Sequence, residues 1–199
     1  MAHAPVFDET YRYYLEKIAG MDLPACRTVL GFDMDGPEAV LPLLGRPYHV
    51  GGKRVADPDG RRPPLGICII LFKYLLMCPP APARDETLCT FKDFKDAAPL
   101  VHYFNQNATG RVTNRFTGHA QALQTACEQA GGGPFATDLG YAVKYRFQGL
   151  PRVPVYLLFN DEEDGFAAQC TLLFHRSAGI YLDMESLSML GVALAEKLK

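Results

Sequence analysis

The chain has 199 residues, 48% hydrophobic and 21% charged, with a formal net charge of −2. That length can bury a sizeable core, and that balance excludes wholesale disorder. It also argues against a dedicated nucleic-acid binder, which draws most of its affinity from cationic contacts to phosphate.

The opening stretch, MAHAPVFDETYRYYLEK, shows neither a charged region ahead of an apolar run nor a small-residue cleavage site. A cytoplasmic location is therefore expected. Asp8 reads as the cap of a first helix, in which Phe7, Tyr11, Tyr14, Leu15 and Ile18 share one face until Gly20. From Val29 to Ala56 short extended pieces, VLGFDM, AVLPLL, PYHV and KRVA, alternate with turn residues. With the Asp57-Pro58-Asp59-Gly60 turn they predict a small antiparallel meander over 29–60.

Residues 65–78, LGICIILFKYLLMC, are apolar apart from Gly66 and Lys73, on every side of a helical wheel. The pattern predicts a central helix enclosed by other elements and stopped by Pro79, Pro80 and Pro82; the isoleucines at 67, 69 and 70 leave a buried strand as the alternative, against which the length of the run and the unbranched Leu75, Leu76 and Met77 weigh. At about 1.5 Å per residue it spans roughly 21 Å, short of the ~30 Å hydrocarbon core, which argues against membrane insertion. The proline-rich connector PPAPARDE (79–86) has little bulk to pack and reads as a mobile surface loop. TLCTFKDF (87–94) reads as a strand and PLVHYFNQN (99–107) as a short helix. Thr109 then caps a longer helix over 111–129, with Val112, Phe116, Ala120, Leu123 and Cys127 on one face and three glycines at its end.

The C-terminal sheet and helix occupy 134–199. Tyr141, Val143, Tyr145 and Phe147 alternate with Lys144 and Arg146, so one side of that strand is wet. Val153 to Phe159 is apolar on both faces, as a central strand is, and Phe166, Ala168, Cys170, Leu172 and Phe174 share a face across an acidic hairpin tip, 160–165. Asp183 caps a last helix striped with Leu187, Leu190, Leu194 and Leu198. The expected fold is α+β: a mostly antiparallel sheet with helices packed on one face, plus a small N-terminal β-meander, in a single domain over 1–199.

At LPLLGRPYHV (41–50), LPRVPVYLLF (150–159) and TLLFHRSAGIYLDMESLSMLG (171–191) the chain resembles an uncharacterised prokaryotic family, domain of unknown function 3786. The resemblance implies a setting in anaerobic bacteria and archaea, and for some relatives an appended iron–sulfur-type cysteine motif. Relatives commonly carry a Trp-containing strand and a Gly-Gly turn within the stretch equivalent to 85–115. This chain has no Trp and none of the cluster-binding cysteines, so no iron–sulfur ligand carries over by residue.

The six cysteines, at 26, 68, 78, 89, 127 and 170, contain no C-x2-C pair and read as reduced thiols; no metal ligand set is expected. The histidines at 3, 49, 102, 119 and 175 form no zinc-binding spacing, and there is no phosphate-cradling glycine motif and no nucleophile elbow. Asp161 to Asp164 lacks the alternating spacing of a calcium loop and reads as a solvated tip. The candidate ligand-binding set is Arg46, Tyr48, Arg152, His175 and Arg176, with Arg146 as a further cation. His175 follows a core strand, and Arg46 and Arg152 sit in rigid, proline-flanked backbone; holding neighbouring carbonyls or carboxylates is the alternative role of these arginines.

A non-catalytic small-molecule-binding or protein-interaction accessory module of anaerobic metabolism is the leading expectation. An enzyme using Cys/His chemistry is the alternative, and a metal, iron–sulfur or corrinoid-related accessory protein the second. The cofactor is unknown, and a small molecule, a protein or a second copy of the chain stays open as partner.

Overall fold

A computed structural model describes residues 5–199; His3 lies outside them. The elements in chain order are α1 (Pro5–Ala19), α2 (Leu23–Leu30), β1 (Asp33–Asp35), β2 (Glu38–Leu43), β3 (Arg46–Val50), β4 (Val55–Ala56), α3 (Leu65–Leu76) and β5 (Leu88–Thr90). Then follow α4 (Val101–Phe104), a π turn (Asn105–Thr109), α5 (Gly110–Phe116), α6 (Ala120–Gln129), β6 (Gly133–Pro134), β7 (Val143–Leu150), β8 (Val153–Asn160), β9 (Gln169–His175), α7 (Ala178–Tyr181) and α8 (Met184–Lys197). No helix among the described residues is long and apolar enough to cross a membrane.

The architecture is α+β with two antiparallel sheets, β1-β2-β3-β4 and β5-β9-β8-β7-β6. Both contribute to one large apolar cluster, in which α3 buries Cys68, Ile70, Leu71, Phe72, Tyr74 and Leu75. No residue of α3 is exposed, as its all-round apolar sequence demands. The β2–β3 turn reaches the second sheet directly, with Leu44 N donating to Gly149 O at 2.8 Å. The α8 leucines at 187, 190 and 194, and Leu198 just past its end, are fully buried, and Asp183 accepts from Ser186 N at 2.9 Å. That helix approaches α4 so closely that a Cβ on Gly191 would lie 2.5 Å from Phe104 Cε2.

Several elements depart from the sequence pattern. Val29 and Leu30 belong to α2, a helix started by Asp22, which accepts from Ala25 N, and by Pro24 in its first turn. The first helix begins at Pro5, so Asp8 lies inside its first turn and pairs with Arg62 at 2.7 Å. Of 87–94 only Leu88–Thr90 is extended, because Asp93 accepts from Thr90 N and folds the chain into a 3-10 turn. Thr109 caps nothing: helical backbone runs from Val101 to Phe116 through the π turn and stops at Gly118, whose φ of +74 is left-handed.

 Gly31, at φ +76, ends α2 in the same left-handed conformation. A second helix, α6, then starts at Ala120. Phe166 is 79% exposed and precedes β9, so it does not share the buried face of Cys170, Leu172 and Phe174.

Two segments read as free are tethered. Asp161 accepts from Gly118 N (2.6 Å), Ala120 N (3.1 Å) and Glu162 N (2.9 Å), capping α6 from the acidic hairpin tip. The connector is fixed at Ala83, whose N donates to Tyr181 Oη (2.8 Å) and whose O accepts from it (3.1 Å). Ser177 N donates to Asp85 O and Arg176 N to Thr87 O, which extends the β5–β9 pairing into the connector.

Candidate functional site

Strand alternation sends Tyr145 and Phe147 of β7 into the core and leaves Arg146 and Gln148 on the opposite face. Register places Arg146 opposite Tyr156 of β8, and Tyr156 opposite Leu173 of β9, so His175 emerges on that same face one step further along. Tyr156 Oη and His175 Nε2 share a hydrogen bond of 2.7 Å. Only a small apolar cluster of Tyr156, Leu158 and Leu173 lies here, partly covered by Phe135 and Tyr141. The uncovered end is a cleft of ≈ 270 Å³ walled by the connector, which brings Arg84 and Glu86 against Arg146, Gln148, Arg152 and His175.

Burial holds His175 below the ordinary histidine value of 6.5, with Glu86 pulling upward and Arg146 pushing downward. It is therefore neutral at pH 7. Arg152 is already committed: its Nε donates to Val29 O and its Nη2 to Thr28 O, both at 2.9 Å, satisfying carbonyls in the last turn of α2. Arg146 Nη2 donates to Gln148 Oε1 at 3.3 Å, an exposed contact that a stronger acceptor can replace. The cleft thus offers Arg84, Arg146 and a chargeable imidazole, opposed by Glu86.

Residues 22–197 match the family model described as domain of unknown function (DUF3786). The chain belongs to this family. No curated protein and no solved structure matches it. Two of the three stretches that carry the family resemblance supply this DUF3786 chain with Arg152, Pro154, His175 and Ser177 of the cleft.

Of the residues singled out from the sequence, Arg146, Arg152 and His175 meet in the cleft. Arg176 is exposed beside it and engages the connector through its backbone. Arg46 and Tyr48 lie on the other sheet. Arg46 donates to Asp57 at 2.8 Å and to Asp59 at 3.3 Å, stapling the turn after β4, and its guanidinium sits 5.9 Å from the ring centre of the buried Tyr48. Arg84, Glu86, Gln148, Tyr156 and Ser177 went unread in the sequence. Alternation along β7 signals Gln148, two residues after Arg146, but nothing local announces that a proline-rich connector folds back over a strand end.

A second cleft of ≈ 670 Å³ lies between the α1–α2 turn and the first sheet, lined by Ile18, Met21, Leu23 and Met34 with Glu38 and Lys53 at its rim. Glu38 is held there by Arg54 at 3.0 and 3.2 Å. Cys68, Cys89, Cys127 and Cys170 are buried, and burial pushes each thiol up, Cys68 and Cys127 to about 12. No cysteine lines the cleft that holds His175. Among the described residues no three His, Cys, Asp or Glu side chains gather as a metal site.

Proposed function

We propose that the protein is a non-catalytic binding module that takes a small carboxylate or phosphate in the cleft between connector and C-terminal sheet, as a cytoplasmic accessory of anaerobic metabolism. The observation that supports this reading is the convergence of Arg84, Arg146 and His175, from three separate segments, on one cleft with Glu86 as the opposing charge. At ≈ 270 Å³ the space suits a ligand smaller than the ~300–1,000 Å³ range of drug-sized pockets. The setting rests on the family's company, and the anion on the chemistry of the guanidinium.

The test is calorimetric titration of the purified chain with inorganic phosphate and a panel of small mono- and dicarboxylates. Arg146→Ala is expected to remove one charge-assisted contact, worth about 1.5–3 kcal/mol, or ~10–150-fold in Kd. Because a bound anion favours the imidazolium, carboxylate affinity should rise as pH falls toward the lowered value of His175 in the free protein and level off beneath it. No heat with any of these anions, or an Arg146→Ala titration identical to the parent's, would refute the reading.

A further inference from the structure

Four of the six cysteines are buried, and the remaining two, Cys26 and Cys78, are half-buried. They meet. Tyr74 Oη donates to Leu30 O at 2.6 Å, which locks the end of α2 onto α3. One helical turn back from Leu30 is Cys26, and one turn on from Tyr74 is Cys78, reached by helical winding that continues through the bonds Met77 N to Lys73 O and Cys78 N to Leu75 O. One turn beyond that lock on each side, both cysteine side chains pack half-buried against the main apolar cluster. There the Cys78 thiol interacts with the Cys26 side chain.

We infer that Cys26 and Cys78 form a dithiol modification site, which a low-molecular-weight disulfide oxidises to an intramolecular disulfide. The Cys26 thiol gives up its proton and attacks one sulfur of the external disulfide; that S–S bond breaks and the first external thiol leaves with the proton. Cys78 then attacks Cys26 Sγ in the mixed disulfide, and the second external thiol leaves with the Cys78 proton. Two protein thiols are oxidised and one external disulfide is reduced to two thiols. Cys78 is the poorer first nucleophile, since burial and the neighbouring Cys26 push its thiol up to about 12, and it attacks second, when Cys26 Sγ is held beside it in the mixed disulfide.

The bond would tie α2 to the head of the connector, closing a long stretch of chain. The experiment incubates the purified full-length chain with oxidised glutathione, blocks remaining thiols by alkylation and maps the non-reduced digest by mass spectrometry. A crosslinked peptide pair containing Cys26 and Cys78 is expected, with a higher melting temperature than the reduced chain. Cys78→Ser is expected to stop at a glutathione adduct on Cys26 and to show no such rise. Both thiols remaining open to alkylation, or each carrying its own glutathione, would overturn the assignment.

Discussion

Removing one oxygen atom tests how the helices are joined. Tyr74 is fully buried, and its hydroxyl donates to Leu30 O at 2.6 Å while accepting from Arg152 N at 3.1 Å. Burial drives its pKa far up, so the phenol stays protonated and able to donate. Tyr74→Phe keeps the ring and leaves a carbonyl and an amide without this partner. Each unsatisfied buried group costs about 1–3 kcal/mol, and with Arg152 only part-buried the total comes to ~2–4 kcal/mol. For a chain of this length that lowers Tm by roughly 5–15 °C. Urea denaturation should show a lower midpoint with an unchanged slope, in a single transition, because the surface exposed on unfolding is the same. A loss below about 0.5 kcal/mol, within the range of neutral surface changes, would show that the hydroxyl does not join α2, α3 and the β7–β8 turn in the way described.

Ile70→Asp places a carboxylate at a position only 1% exposed, and an unpaired buried charge costs about 3–5 kcal/mol beyond the lost apolar burial. It is expected to yield no folded soluble protein, and a soluble variant with unchanged melting would contradict the central place of α3. Asp161→Ala should remove the cap on α6 and about 1 kcal/mol of stability by chemical denaturation, whereas Glu163→Ala should leave it unchanged. Burial works to raise the Asp183 carboxyl, but its bonds with Lys73 at 2.8 Å and with Ser186 N outweigh that and hold it below its ordinary value. Its contribution is therefore complete above the unfolded-state pKa and lost as pH falls through the folded one. Lys73→Met should move acid unfolding, followed by circular dichroism, to higher pH; an unmoved midpoint would count against the pair.

Elements with a strong local period were legible in the sequence. The all-round apolar α3, the doubly buried β8, the alternating β7 and the leucine stripe of α8 with its Asp183 cap report which faces leave water, and hydrophobic periodicity encodes that directly. Within the cleft the same logic reached Arg146 and His175, which sit on or just beyond patterned strands. Tertiary contact decided the rest. Tyr181 holds Ala83 across 98 residues, Arg152 satisfies Thr28 O across 124, and Asp161 caps α6 from 41 residues away. None of these partners leaves a periodic mark, because a hydrogen bond depends on the spatial meeting of two groups, and spacing along the chain carries no trace of it. The connector is a cleft wall, and Cys26 faces Cys78, for that same reason.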